Sequence, residues 1–402
     1  MPRKGLHEAR RGDWRTFDTP SRPDQTEPHL CGSARGDPAH DSARWGRPPQ
    51  AGAPAHDQGH RPPGRVSESA VSFALNDRPG VSDDTRARVR RVAEELGWQA
   101  NSAARALSGE RAGALGLVLA RPARTLGVES FFLQLVSGIQ EVLAARKIAL
   151  LFQVVEDLDT ECALYRRWWA ERRVDGVLVV DPRTDDPRPE LLAALGLPAV
   201  AIGGPAGPAP SDQEPDTAPP PLLPTVWADD AKVMARVLDH LHGLGHRRIV
   251  HVAGLPGLAH TARRIRSLRT EAALRGLDER QVRSVTTDYS DAEGAEATRR
   301  ILDDPRPPTA IIYDNDVMAV AGASVAAERG IPVPAALSIV AWDDSALCRV
   351  THPRLTALVR DTPGFGRLAA RELLTVLDGG PPRTVQGELP HLEARESTGP
   401  CE

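Results

Sequence analysis

The run Ala310-Ile311-Ile312-Tyr313-Asp314-Asn315-Asp316-Val317-Met318-Ala319 decides the fold. Its first four residues form an unbroken apolar run that reads as a buried parallel strand, and residues 317–329 read as the helix that follows. The same alternation recurs along the chain. Strands are expected over 115–120, 149–155, 176–180, 199–202, 249–253 and 338–342, and helices over 132–145, 231–244, 263–275, 292–302 and 364–377. Repeated strand and helix in this order predicts doubly wound α/β sheets, with ligands near the carboxyl ends of the strands. One stretch breaks the pattern. Residues 204–224 carry Pro at 205, 208, 210, 215, 219, 220, 221 and 224, the composition of a long surface loop.

With 402 residues, 41% of them hydrophobic, and a net charge of only −4, the chain is long enough for a small leading domain and a core split between two subdomains. No apolar run approaches the roughly 18 residues that span a bilayer. The first 30 residues hold no apolar stretch of the signal-peptide kind, so the expected compartment is the cytoplasm. Cys31, Cys162, Cys348 and Cys401 are too scattered for a zinc site or a disulfide framework and are read as free thiols. A Gly-rich phosphate loop, a nucleophile elbow and a metal-spaced cluster are all missing, which argues against an enzyme and against a metal or cofactor. His246, followed by two arginines, invites a catalytic reading but belongs to a turn entering a strand.

Composition changes abruptly at Arg65/Val66. Residues 1–65 contain no Val and no Ile, while Pro, Arg, His and Gly recur without period, so that segment cannot build a core. From Val66 the texture is helical. Val71, Ala74 and Leu75 of the run Val66 to Asn76 can face a core, leaving Glu68, Ser69 and Phe73 outward. Pro79-Gly80-Val81 then turns the chain, Ser82 can cap the next helix, and Val89, Val92, Ala93 and Leu96 recur on its inner face.

These two helices, with Asn101-Ser102-Ala103-Ala104-Arg105-Ala106-Leu107 after them, resemble the second and third helices and the hinge helix of the lactose and galactose repressor (LacI-type) family. The rest of the chain, 112–398, resembles that family's two-lobed, periplasmic-binding-protein-like sensor. The motifs are Gly113-Ala114-Leu115-Gly116-Leu117-Val118, Leu244-Gly245-His246-Arg247-Arg248-Ile249, Asn315-Asp316-Val317-Met318-Ala319, Ala341-Trp342-Asp343-Asp344-Ser345, Pro353-Arg354-Leu355-Thr356 and Ala394-Arg395-Glu396-Ser397-Thr398. Their order and spacing carry the resemblance together.

The resemblance implies an incomplete all-α helix-turn-helix headpiece and hinge over 66–111, then an α/β sensor. One lobe is expected over about 114–203 and 335–362, the other over about 225–333 and 363–398. It implies a ligand-responsive transcription repressor of carbohydrate-utilisation genes, acting as a homodimer on a pseudo-palindromic operator, with a sugar or sugar derivative as effector. The alternative is a sugar-binding module without effective DNA binding. Operator contacts carry over to Ser67, Glu68, Ser69, Ser72, Phe73, Asn76, Ser82, Asn101 and Ala104, and Leu107 to the apolar wedge that kinks DNA from the minor groove. Phe73 stands where the family often has Arg, which loses a guanine reader. Seven Arg and seven acidic residues leave 66–111 formally neutral, so phosphate contacts fall to helix N-termini and single side chains. In the sensor, the resemblance implies a ligand held by Arg266 and Asp316 between Phe131, Phe132 and Tyr289.

The family's first helix is missing, and His60-Arg61-Pro62-Pro63-Gly64-Arg65 in its place cannot form one. Segment 1–65 is therefore expected to be a disordered or out-of-frame extension. Back-translated with GC-rich codons and read one base later, 56–65 yields Thr-Thr-Arg-Ala-Thr-Ala-Arg-Arg-Ala-Gly, which runs into Val66-Ser67 and restores the motif. Sequencing the gene across codons 50–70 is expected to reveal a base missing near codon 65. An unbroken frame, with tight operator binding by this polypeptide, overturns that expectation.

Overall fold

The computed structural model describes residues 66–75, 78–97, 111–121, 130–204 and 223–401. The extension 1–65, most of the Pro-rich stretch, and Asn76, Asn101, Ala104 and Leu107 lie outside the described residues. The chain divides into two units, Met1–Val71 and Ser72–Glu402.

Helix α1 spans Glu68–Leu75, and Ser67 caps it by accepting the amide of Ala70 at 3.2 Å. Helix α2 spans Asp83–Glu95, and Ser82 accepts the amide of Thr85, the capping role its position predicts. Ala74 and Val89 are buried, but Val92 is 39% and Leu96 76% exposed. The apolar stripe expected on α2 is longer than the surface that covers it among the described residues.

Among the described residues, twelve strands form two six-stranded sheets. The first contains β1 (Ala114–Ala120), β2 (Ala149–Val155), β3 (Gly176–Val179), β4 (Ala199–Ile202), β5 (Thr225–Trp227) and β11 (Val385–Gln386), in the order β11-β5-β4-β3-β1-β2. The second contains β6 (Ile249–Ala253), β7 (Val282–Thr286), β8 (Ala310–Tyr313), β9 (Ser338–Ala341), β10 (Thr356–Val359) and β12 (His391–Glu393), ordered β12-β10-β9-β8-β6-β7. Every pairing is parallel except β10 with β12. Both sheets are therefore doubly wound and change winding direction at one point, between β1 and β3 in the first and between β6 and β8 in the second.

The helices that matter below are α3 (Ser130–Ala145), α4 (Leu158–Ala170), α5 (Arg188–Leu195), α6 (Asp230–Gly243), α7 (Ala259–Leu274), α8 (Asp291–Leu302), α9 (Asp316–Glu328), α10 (Ala346–Val350) and α11 (Thr362–Leu377). Three parts of the expected lobe division are corrected. Thr225–Trp227 pairs with β4 in the first lobe, because the chain completes that sheet before crossing into α6. Strands β9 and β10, expected in the first lobe, belong to the second, where β9 lies in register against β8. The segment with helix α11 and strand β11, expected in the second lobe, belongs to the first: α11 buries Ala369, Ala370, Leu373 and Leu374 in its core with Leu115, Leu135 and Ile139, and β11 pairs with β5. The chain thus crosses between lobes after β5, after β10 and after β11.

Helices α3 and α11 approach closely at glycine. A Cβ built on Gly138 would lie 1.9 Å from the Pro363 carbonyl oxygen, and one on Gly366 would lie 2.2 Å from that of Leu135. Gly138→Ala is expected to force these helices apart and cost about 1–3 kcal/mol or more, read as a lower denaturation midpoint. An unchanged midpoint would contradict the close contact.

His246 holds the end of the chain to the second lobe. It is 2% exposed; its Nε2 donates to the Gly399 carbonyl at 3.1 Å and its Nδ1 accepts from Thr309 Oγ1 at 2.9 Å. Burial pushes its pKa below the ordinary 6.5, so the folded protein prefers the neutral ring. The associated stability is fully present above pH 6.5 and falls as pH drops below that value, where the unfolded chain takes up a proton the folded one resists. Denaturation between pH 7.5 and 5.5 should show a smaller acid loss for His246→Gln than for the parent.

Candidate functional site

A cleft of about 840 Å³, counted out to the solvent at its mouth, lies between the lobes at the carboxyl ends of both sheets. The first lobe contributes Arg121 after β1, Phe131 and Phe132 from α3, Asp181 just past β3, and Gly203 after β4. The second contributes Asp230, His260, Arg264, Tyr289, Asp314, Asn315, Asp316, Asp343 and Arg360. A polar pair bridges each switch point. Arg121 Nε donates to Asp181 Oδ2 at 2.6 Å in the first lobe, and the Gly254 amide donates to Asp314 Oδ2 at 2.9 Å in the second.

Phe131, Phe132, Tyr289 and Asp316 line the cleft, whereas Arg266 is exposed and outside it. Arg264, 7% exposed, occupies the place expected of Arg266. The reason is helical phase. At about 100° per residue, two positions along α7 turn a side chain roughly 200°, and Leu268, buried one turn after Arg264, fixes the inward face. Among the expected DNA contacts, Ser67, Glu68, Ser69, Ser72 and Ser82 are exposed. Phe73 is half-buried rather than outward, close enough to Gly80 that a Cβ there would sit 3.5 Å from its ring.

Arg264 is held on three sides. Its Nη1 is 3.0 Å from Asp314 Oδ1, its Nε donates to Asp230 Oδ1 at 3.3 Å, and its guanidinium lies 4.5 Å from the centre of the Trp342 ring. His251, in the middle of β6, donates from Nε2 to the same Asp314 oxygen at 3.0 Å and faces Ser284 with Nδ1 at 3.2 Å. Burial alone would raise the Asp314 pKa, but Arg264, His251 and the Gly254 amide outweigh it and hold the carboxyl far below the usual range.

Asp316 differs. It is 3% exposed and its Oδ2 has no hydrogen-bond partner. Burial, with the nearby Asp343 carboxylate, raises its pKa against the lowering effect of the Ser345 hydroxyl. Asn315 caps α9 by accepting the Met318 amide at 2.8 Å, and its Nδ2 donates to the Tyr289 carbonyl at 3.0 Å. Tyr289 has φ +71°, a left-handed conformation that costs a bulky residue roughly 1–3 kcal/mol. Its ring fits because residue 254 is Gly, where a Cβ would lie 1.8 Å from it, and its hydroxyl is 2.9 Å from His260 Nε2. Burial lowers the His260 pKa to about 4, so this ring is neutral near pH 7. The Arg121 guanidinium lies between Phe132 and Tyr289, 5.1 and 4.9 Å from their ring centres.

The lobes touch at the rim of the cleft. The Ala259 amide donates to Pro182 O at 2.8 Å, the Thr184 amide to Gly257 O at 3.0 Å, and Arg263 to the carbonyl of Gly203. Behind this rim, Arg188 is buried with Glu161 and Asp186 and donates to the carbonyls of Val180 and Asp181, which pins the segment after β3. Sequence reading missed Arg121, Asp181, Asp230, His260, Arg264, Asp314, Asn315, Asp343 and Arg360. A usable signal existed for four of them: Arg121, Asp181, Asp314 and Asp343 immediately follow expected strands.

Among the described residues no group of His, Cys, Asp or Glu is arranged to hold a metal, and no helix is long and apolar enough to cross a membrane. Cys162 and Cys348 are buried free thiols.

The family model for lacI-family bacterial regulatory proteins matches residues 64–101, and the model for the periplasmic binding protein-like domain matches 238–398. The chain is 30% identical over 347 residues to the HTH-type transcriptional regulator MalR of Streptomyces coelicolor, covering 83% of this chain and 93% of that one. A solved LacI family transcriptional regulator from Bifidobacterium animalis is 35% identical over 73% of this chain and all of its own, with a TM-score of 0.63. The structure of a complex of the transcriptional regulator CelR with cellobiose is 27% identical over 83% of this chain and 96% of its own, also at 0.63. CelR of Thermobifida fusca is 29% identical over 336 residues. These are regulators, not enzymes, and the chain belongs to the lacI family of bacterial regulatory proteins.

Proposed function

We propose that this protein is a sugar-responsive repressor that binds a pseudo-palindromic operator as a homodimer, in the cytoplasm where that DNA lies. The observation that carries the reading is Asp316 Oδ2, a buried carboxylate oxygen with no hydrogen-bond partner, on a residue that lines the cleft between the two lobes. Such an oxygen is costly to leave unpaired, so the cleft favours a ligand that brings a hydroxyl or amino hydrogen to it. Phe131, Phe132 and Tyr289 supply apolar surface for the face of a sugar ring. The binding of cellobiose by CelR supports a saccharide as effector.

The match over 64–101 favours DNA binding over a bare sugar-binding module, because it includes α1, α2 and the start of the hinge. Exposed Glu68, Ser69 and Ser72 are the proposed base and phosphate contacts, and Leu107 the wedge. Ligand binding in the cleft shifts the balance between lobe arrangements, and through it the population of DNA-competent hinge helices.

The test is a gel shift on the gene's own upstream DNA across a salt series, with and without cellobiose. Leu107→Ala should weaken operator binding and reduce DNA bending while leaving effector binding in place. Asp316→Ala should leave operator binding and weaken the effector by roughly ten- to a hundred-fold, from about 1–3 kcal/mol of lost polar contact. Arg264→Ala is the harsher variant: it strands the buried Asp314 carboxylate and is expected to cost about 3–5 kcal/mol of stability as well. Operator binding absent at every salt concentration, or effector binding indifferent to Asp316→Ala, contradicts the reading.

A further inference from the structure

The charges of the cleft are unevenly settled. Asp181 is paired with Arg121, and Asp230 with both Arg263 and Arg264. Asp314 is paired with Arg264, and Asp343 lies 3.2 Å from Arg360. Asp316 has no guanidinium against it among the described residues, and its Oδ2 is the carboxylate atom left over. Asp343 Oδ1 is also short of a hydrogen bond, because Arg360 approaches it off the hydrogen-bonding direction. Every lining arginine is thus already opposed by a carboxylate; Arg360 Nε, like Asp316 Oδ2 and Asp343 Oδ1, is left without a hydrogen bond, and the five lining aspartates, Asp181, Asp230, Asp314, Asp316 and Asp343, outnumber Arg121, Arg264 and Arg360.

An anionic ligand would need a guanidinium that is not already neutralised: Arg360 lies 3.2 Å from Asp343, and the two committed nitrogens of Arg264 point at Asp314 and Asp230. Asp314 cannot swing away to free it. Its Oδ2 takes the Gly254 amide and its Oδ1 is shared with His251 Nε2, while His251, itself wholly buried, is steadied by Ser284. Moving this carboxylate would break three contacts in a dry interior, where each lost partner is expensive.

We infer that Asp314, locked behind Arg264 by His251, makes the cleft selective for charge: it admits neutral or cationic polyhydroxyl compounds and refuses carboxylated or phosphorylated ones. A hydroxyl or ammonium group gives its hydrogen to Asp316 and meets a negative site. A sugar acid or sugar phosphate meets Asp316 and Asp343 as like charges and finds Arg264 already neutralised. This inference rests on the cleft being the effector site and adds the chemical class of the effector. Asp314 acts on the ligand's charge through Arg264, so it is a specificity-determining residue of this chain.

The experiment is calorimetry on the full chain with two matched sets. One is glucose, glucosamine, glucuronate and glucose 6-phosphate; the other is galactose, galactosamine, galacturonate and galactose 6-phosphate. Binding confined to neutral and amino members, with acids at least about ten-fold weaker, is the expected result. Asp314→Asn keeps the shape but removes the charge, and should raise the acid-to-neutral affinity ratio about ten-fold. If that variant fails to fold, the pair His251→Leu with Asp314→Ala removes the imidazole and the carboxylate together, leaves Arg264 paired with Asp230, and is read the same way. An acid that binds the parent as tightly as its neutral counterpart overturns the inference while leaving the effector site in place, as does a ratio unmoved in the variants. Silence across both sets overturns the inference together with the reading of the cleft as a sugar site.

Discussion

A buried carboxylate has to be satisfied by hydrogen bonds and charge, and the Asp314 side chain, wholly enclosed at the end of β8, imposes that requirement on three other elements. It draws the amide of Gly254 from the loop after β6, the imidazole of His251 from the middle of β6, and the guanidinium of Arg264 from α7. Because Arg264 also reaches Asp230 at the start of α6, the same constraint fixes where the chain enters the second lobe after leaving the first. Stacking of Arg264 on Trp342, just past β9, extends it across the sheet. The floor of the cleft on this side is one connected polar array, not a set of independent side chains.

The first lobe solves the corresponding problem with other residues. Its switch point is bridged by Arg121 and Asp181, and the segment carrying Asp181 is tied down from behind by Arg188, Glu161 and Asp186. A fully buried ion cluster of this kind contributes little net stability, but breaking it strands a charge. Its value here is positional: it holds the residues that both line the cleft and meet the second lobe at Pro182 and Thr184. Arg121, between Phe132 of one lobe and Tyr289 of the other, carries the contact through the cleft itself. The lining of the cleft and the contact between the lobes therefore share the same side chains, the coupling by which a ligand bound there would gain differential affinity between lobe arrangements.

Much of this was legible in the sequence. Unbroken aliphatic runs located the central strands, and four of the expected ranges, 149–155, 199–202, 249–253 and 310–313, agree with the structure at both ends. What escaped was less regular. β7 reads Val-Arg-Ser-Val-Thr because an edge strand shows only one side to the core, and it lacks the continuous apolar run of a central parallel strand. α4 and α5 carry Glu161 and Arg188 on buried faces, which blurs their amphipathic pattern. Phe131, Phe132, Tyr289 and Asp316 were found through the family resemblance and lie together at the cleft.

By itself, then, the sequence determined the α/β class, the membership in a regulatory family and four residues that come together at the cleft, because periodicity and ordered motifs are local properties of the chain. Only the tertiary structure decided that Arg264 rather than Arg266 faces the cleft, since that depends on the phase of α7 set by Leu268 and Asp314. It also decided that β9 and β10 complete the second sheet while α11 returns to the first, because which strands pair and which cores a helix joins are settled by contacts far apart in sequence. The partnership of His251 with Asp314 is of the same kind. The two residues lie on adjacent strands with two connections between them, and only the parallel register of β6 with β8 brings them within 3.0 Å.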